Sequence, residues 1–162
     1  MIRDARPGDA AAIAAIYNPY IVDSTVSFEE AAVSAADMQG RIAAVQEGGL
    51  PWLVLELADG TIAGYAYATQ WRVRHAYRFS VETSVYLARG SERKGFGTAL
   101  YQALLERLRC QGCHLAIAGI AQPNDASVAL HERMGYRKVA HFAEVGFKFG
   151  RWLDVGYWEL RL

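Results

Sequence analysis

Cysteine is scarce. Cys110 and Cys113 are the only thiols in 162 residues, too few to staple a secreted scaffold of this size. Charge of one sign is not in excess either. Lys plus Arg and Asp plus Glu each number 17, for a formal net charge of zero. Proteins that hold a nucleic-acid backbone or an anionic lipid normally carry a basic surplus, so neither nucleic acid nor membrane is expected as a partner. No apolar run approaches the roughly 20 residues of a membrane helix. The stretch Met1-Ile2-Arg3-Asp4-Ala5-Arg6-Pro7 lacks the apolar segment of a signal peptide, which predicts a cytoplasmic location. The four prolines are scattered, and no repeat, linker or low-complexity tract interrupts the chain. One domain over residues 1–162 is expected. Apolar residues, by contrast, are plentiful: 52% hydrophobic against 21% charged, a balance that excludes a disordered tail or a coiled coil and supplies a packed core.

Patterning divides the chain into elements. Met1 to Ala5 reads as a short strand. Asp9 is placed to cap a helix carrying Ile13, Ile16, Tyr17 and Tyr20 on one face, with Pro19 predicted to end it near Asn18. Ser34 and Asp37 form a capping-box pair ahead of Met38, Ile42 and Val45, and Gly48-Gly49 stops that helix. The period then changes to two. Trp52–Leu57 and Ile62–Trp71 read as strands joined through Asp59-Gly60, a hairpin signal. Phe79–Ala88 reads as a third, with Val81, Thr83, Val85 and Leu87 on one side. A helix from Gly97 buries Leu100, Leu104, Leu105 and Leu108 and stops at Gly112. His114–Ile120 is a buried strand, Asp125–Met134 a short helix closed by Gly135. Strands over Arg137–Phe147 and Trp152–Leu160 complete the chain. A meander that turns into strand–helix crossovers predicts a mixed α/β sheet.

The turn Arg93-Lys94-Gly95-Phe96-Gly97-Thr98 lies between a strand and a helix. Glycines let a backbone approach a ligand closely, and the first amides of a helix point outward unpaired, a ready site for a pyrophosphate. Arg89, Arg93 and Lys94 add positive charge there. The dinucleotide fingerprint does not fit, because Leu100 stands where its third glycine belongs. The Walker loop does not fit either, lacking Gly-Lys-Ser/Thr at the right spacing. A plain tight turn remains the competing reading. Cys110-Gln111-Gly112-Cys113-His114 matches a haem-attachment pattern, but such attachment implies export. A closed zinc site would need a second ligand pair. No metal site is expected, and the thiols are read as packing groups.

The segment Glu92-Arg93-Lys94-Gly95-Phe96-Gly97 resembles the coenzyme A loop of the GNAT acetyltransferase superfamily, Gln/Arg-x-x-Gly-x-Gly/Ala, with Glu92 where the pattern has Gln or Arg. The resemblance extends through Asn124-Asp125-Ala126-Ser127 and Leu130-His131-Glu132-Arg133-Met134-Gly135-Tyr136. It covers nearly the whole chain. Trp71-Arg72-Val73-Arg74, Val81-Glu82-Thr83-Ser84-Val85-Tyr86 and Gly146–Gly156 are similar to one branch, whose members acetylate phosphinothricin, methionine sulfoximine and methionine sulfone. The resemblance implies the GNAT fold, a mostly antiparallel mixed sheet of about seven strands flanked by about four helices. It also implies acetyl-CoA as co-substrate, a small amine as acceptor, and a homodimer.

Transfer of an acetyl group from a thioester to an amine requires that the amine lose a proton, that the carbonyl be polarised, and that the thiolate leave. A positioned base contributes roughly 10²–10⁴-fold. The resemblance gives that task to Glu82, which falls on the opposite side of its strand from Val81 and Thr83; taken alone, the same position also describes an outward polar residue. No nucleophile is paired with a base, so direct transfer is expected. The resemblance further implies that the backbone of Val85, Tyr86 and Leu87 holds the cofactor arm and polarises the carbonyl. Arg93, Lys94, Gly95, Phe96, Gly97, Thr98 and Asn124 would bind the remainder of acetyl-CoA. His131 would relay a proton or bond the cofactor, although a lone His is as readily a packed helix residue. Arg72 and Arg74 would meet the acceptor's anionic oxygens with paired hydrogen bonds, and Thr83 and Phe28 would line the same pocket. A cationic acceptor such as a polyamine, an antibiotic, a protein amino terminus, and a non-catalytic acyl-CoA-binding module are the alternatives.

Overall fold

The computed structural model describes residues 1–162. Seven strands form one sheet: β1 (Ile2–Asp4), β2 (Trp52–Glu56), β3 (Ile62–Gln70), β4 (Ser80–Leu87), β5 (Leu115–Ala121), β6 (Arg137–Lys148) and β7 (Arg151–Arg161). Their spatial order is β1-β2-β3-β4-β5-β7-β6. Every neighbouring pair is antiparallel except β4 and β5. Four helices flank the sheet: α1 (Ala10–Val22), α2 (Ala35–Glu47), α3 (Phe96–Cys110) and α4 (Asp125–Arg133). None is long and apolar enough to cross a membrane.

Two cores sandwich the sheet. On one face α1 and α2 bury Ile13, Ile21, Met38 and Ile42 against Trp52, Val54 and Tyr65. On the other, α3 buries Leu100, Tyr101, Leu104, Leu105 and Leu108, none more than 1% exposed, against Leu53, Ala66, Val81 and Ala118. The i, i+4, i+8 spacing of Leu100, Leu104 and Leu108 makes α3 amphipathic and directs that stripe onto the strands. Gly64 lets α3 and β4 close in, since a Cβ there would sit 2.6 Å from Leu87 Cδ2 and 2.9 Å from the Tyr86 carbonyl.

Most elements fall within a residue or two of the sequence expectation. Two local readings are corrected. Pro19 lies inside α1 rather than ending it, and the helix runs on to Val22, with Asp23 N–H donating to the Pro19 carbonyl at 3.0 Å. Proline forfeits one helical bond, but the carbonyl left free belongs to exposed Ala15, while buried Tyr17 and Ile21 on either side anchor the helix. Asp9 does not cap α1 through its side chain. It closes a 3-10 turn over Pro7–Asp9 instead, accepting from Arg6 N–H at 2.7 Å and from the Arg3 guanidinium at 2.7 and 2.9 Å. Those partners hold its carboxyl below the usual range. Ser34 does cap α2, its hydroxyl accepting from Asp37 N–H at 3.0 Å.

Candidate active site

The one parallel pair in the sheet opens into a cleft. β4 and β5 are in register only from Ser80 to Glu82 against Leu115 to Ile117. Beyond that, β4 stays with β3 as far as Leu87, and β5 stays with β7 as far as Ala121. The strands therefore splay, leaving the inner backbone edges of Thr83–Leu87 and Ala118–Ala121 unpaired with each other. The gap is lined by Thr83, Ser84, Val85 and Tyr86 from β4, by Gly119, Ile120 and Ala121 from β5, and by Val26, Tyr101, Asn124, Ser127 and His131. Free strand edges inside a cleft must find hydrogen-bond partners, and an extended chain bearing amides supplies them.

The glycine turn stands at the end of β4. Gly95 has φ +80°, in the left-handed region that favours glycine, and immediately precedes α3. The amides of Phe96, Gly97 and Thr98 have no backbone partner; the first helical bond is Ala99 N–H to Gly95 O at 3.0 Å. Gly97 is buried, and a Cβ there would come 3.3 Å from Leu130 of α4. Arg93 and Lys94 are exposed and pair with no acid. Glu92 is occupied elsewhere, its carboxylate accepting from Gly90 N–H at 2.8 Å. The residue that departs from the GNAT pattern therefore closes its own turn. Three outward amides at a positive helix end, beside two unpaired cations, suit a diphosphate.

Asn124 caps α4, accepting from Ser127 N–H at 3.2 Å, and lines the cleft; its amide nitrogen makes no hydrogen bond to the protein. His131, two turns further on, is 4% exposed. Its Nδ1–H donates to the Ser127 carbonyl at 2.7 Å, and its Nε2 accepts from the Tyr101 hydroxyl, also at 2.7 Å. Burial pushes its pKa down, so the ring stays neutral. Both nitrogens are engaged, and any proton it moves must pass through Tyr101. Thr83 lies on the α3 side, opposite Glu82, with its hydroxyl 2.8 Å from that of Tyr136. Thr83, expected at the acceptor, lines the cleft on the face that strand alternation gives it.

Glu82 faces the α1–α2 side of the sheet. Gly119, two residues past its β5 partner Ile117, leaves room for it: a Cβ there would stand 3.1 Å from the Tyr157 ring and 3.5 Å from Glu82 Oε1. The half-buried carboxylate makes no hydrogen bond to the protein. Burial raises its pKa above the usual carboxylate value, and the Arg72 charge opposes that rise. A buried acid without a partner, in a hollow, is a functional signature. Arg72 stacks 3.9 Å from the Trp71 ring centroid and donates to the Trp71 carbonyl at 3.0 Å. Trp71 in turn packs edge-on against Tyr157. Arg74 is exposed in the same loop, and Arg78 stacks 4.4 Å from the Phe79 ring. None of the three arginines pairs with a carboxylate. Phe28 packs its ring against Gly146.

Sequence reasoning did not single out Tyr101, Ser127, Gly119, Tyr157 or Arg78. A phenol within the apolar stripe of α3 needs a buried partner, and a glycine inside a strand marks a close approach; either signal could have flagged Tyr101 or Gly119. Cys113 packs against the α3-side core, and Cys110 ends α3 at the surface.

A cleft between splayed parallel strands, together with the outward amides at the start of α3, matches an acyl-CoA transferase architecture. Residues 2–156 match the acetyltransferase (GNAT) domain model. The chain is 41% identical to an L-methionine sulfoximine/L-methionine sulfone acetyltransferase of Pseudomonas paraeruginosa, covering 99% of this chain and 94% of that protein. It is 40% identical to a phosphinothricin N-acetyltransferase of Streptomyces viridochromogenes, covering 98% and 85%. Among solved structures it resembles a GNAT superfamily phosphinothricin acetyltransferase from Sinorhizobium meliloti in complex with acetyl-CoA. That match has a TM-score of 0.97 at 36% identity and covers 100% of this chain and 88% of that one. The chain belongs to the GNAT acetyltransferases. It is an N-acetyltransferase, and acetyl-CoA is its co-substrate.

Proposed function

We propose that this enzyme acetylates the α-amine of a small amino-acid analogue of the phosphinothricin, methionine sulfoximine or methionine sulfone kind, with Glu82 as general base and direct transfer to the amine. The observation that carries the reading is the half-buried, unpartnered Glu82 carboxylate beside arginines that have no acid of their own. The names of the relatives point to the same acceptors.

Acetyl-CoA supplies the acyl group as a thioester. The outward amides of Phe96, Gly97 and Thr98, with Arg93 and Lys94, would hold its diphosphate, and the Asn124 amide would hold its arm along the free edge of Val85, Tyr86 and Leu87. Backbone N–H groups fixed along that edge polarise a carbonyl without having to reorganise. Arg72 and Arg74 offer paired donors to carboxylate, phosphinate or sulfonyl oxygens, and Phe28 covers the acceptor's side chain. Glu82, made more basic by burial than a surface acid while the Arg72 charge favours its ionised form, takes the ammonium proton directly or through water. The departing thiolate meets the Tyr101–His131 pair, where a neutral imidazole holds a phenol that burial keeps protonated. Unpaired arginines disfavour a polyamine, since like charges would meet in the hollow.

We also propose a homodimer. The ribbon of β6 and β7 leaves Val139, Phe142, Val145, Phe147, Phe149 and Trp152 exposed by 47% to 62%, and β6 is one of the sheet's two open edges. A second copy packed against this ribbon by a two-fold axis would cover part of that apolar surface and the β6 edge.

The test is thiol release from acetyl-CoA by purified protein with methionine sulfone, methionine sulfoximine and phosphinothricin. Turnover with at least one supports the assignment. No release with any of them, while acetyl-CoA still binds, overturns it.

A further inference from the structure

Lys148 is the most deeply buried charge in the protein, 2% exposed, and the chemistry above does not use it. It lies at the end of β6. Its ammonium donates to three backbone carbonyls: Ile21 at 2.6 Å, Ser24 at 2.9 Å and Ser27 at 2.6 Å. An ammonium has three donors, and all are spent. No carboxylate pairs with it. Glu29 and Glu30 are the acids whose field favours its charge, while burial works against it. Glu29 is itself committed to the Tyr17 hydroxyl and, at 2.9 and 2.6 Å, to the Arg41 guanidinium.

The three carbonyls belong to one place. Ile21 is in the last turn of α1, where carbonyls lack helical partners, and Ser24 and Ser27 begin the connector over residues 23–34 that leads to α2. That connector walls both halves of the site. Val26 lines the cleft, and the Phe28 ring lies against Gly146, two residues before Lys148 on the same face of β6. A Cβ on Gly146 would fall 2.3 Å from Phe28 Cε2 and 2.6 Å from its Cζ, so only glycine admits the ring. Gly146 thus makes the seat, and Lys148 holds the chain down at the residue before the ring.

We infer that Lys148 is a positioning residue for acceptor recognition: its carbonyl clamp on the connector fixes Phe28 in its Gly146 seat and so sets the shape of the acceptor pocket. The inference rests on the acceptor pocket described under the proposed function. It differs from a general stability role in acting through one named side chain, and that difference is measurable.

The experiment combines Lys148→Met, Phe28→Ala and the double variant. It reads the acceptor KM, the acetyl-CoA dissociation constant, and amide hydrogen exchange over residues 23–28. Lys148→Met keeps the length and apolar stem while removing every donor; Lys148→Gln, which keeps two, serves if the Met variant does not fold. The acceptor KM is expected to rise by about tenfold in Lys148→Met, the size of one lost aromatic contact, with acetyl-CoA affinity changed by less than about threefold. Exchange over 23–28 is expected to accelerate. Removing the lysine in the Phe28→Ala background is expected to add little, because the path from Lys148 to the acceptor is already cut. Additive losses in the double variant, an unchanged acceptor KM, or unchanged exchange over 23–28 would each overturn the inference. If the wild-type protein turns over none of the acceptors, the substrate reading fails, and exchange over 23–28 still decides whether Lys148 clamps the connector.

Discussion

Glu82→Gln separates acid–base chemistry from binding. The side chains are nearly isosteric, and Glu82 has no hydrogen-bond partner to lose, so the fold and the cleft should survive. What disappears is the proton acceptor. A positioned base is worth about 10²–10⁴-fold, or about 3–5 kcal/mol of barrier, and kcat/KM for the acceptor should fall by that order at neutral pH. Acetyl-CoA affinity should hold, because the amides proposed to grip it belong to the α3 end. The pH profile carries the sharper signature. In the wild-type enzyme activity should fall as pH drops through the pKa of Glu82. Burial raises that pKa, so the limb should lie above an ordinary carboxylate's value. In the variant that limb should vanish, and the rate should climb with pH as the free amine becomes more abundant. Steady-state thiol release between pH 5 and 10 measures both. An unchanged kcat/KM, or an acid limb that persists at the same pH in Glu82→Gln, would remove Glu82 from the mechanism.

Arg72→Gln removes the positive charge that favours ionised Glu82. The acid limb should therefore move to higher pH while the acceptor KM rises and acetyl-CoA affinity stays, all readable from the same assay. Gly95→Ala forces a side chain into a φ of +80° with open space around it; strain of about 1 kcal/mol at the helix entry should weaken acetyl-CoA binding more than acceptor binding, as calorimetry would show. Gly64→Ala drives a Cβ against the Tyr86 carbonyl and Leu87. It should destabilise by about 1–3 kcal/mol and lower the melting temperature by several degrees.

The strands and α3 were legible because their patterns are clean: a continuous apolar run in Trp52–Leu55, alternation in Phe79–Ala88, and a leucine stripe from Leu100 to Leu108. Alternation also fixed the side of Glu82. It also places Thr83 on the opposite side. Pro19 misled because a lost backbone bond was weighed without knowing that Tyr17 and Ile21 are buried around it. Asp9 misled because Arg3 and Arg6, close in sequence, outcompeted the α1 amides for its oxygens. The glycine turn showed where amides point but not that Glu92 bends back onto Gly90. Lys148 was invisible for a different reason: its carbonyl partners lie 121 to 127 positions away, and backbone carbonyls carry no sequence signal. His131 likewise showed a ring on a helix, whereas the hydroxyl that engages its Nε2 belongs to Tyr101, 30 positions earlier.

The account turns on the place where β4 and β5 part. A crystal structure with acetyl-CoA and methionine sulfone addresses it directly. The diphosphate should lie on the amides of Phe96, Gly97 and Thr98, the arm should bond the free edge of Val85 to Leu87, and the sulfone's amine should be within reach of Glu82. A cofactor seated elsewhere, or β4 and β5 zipped together past Ile117, would contradict it.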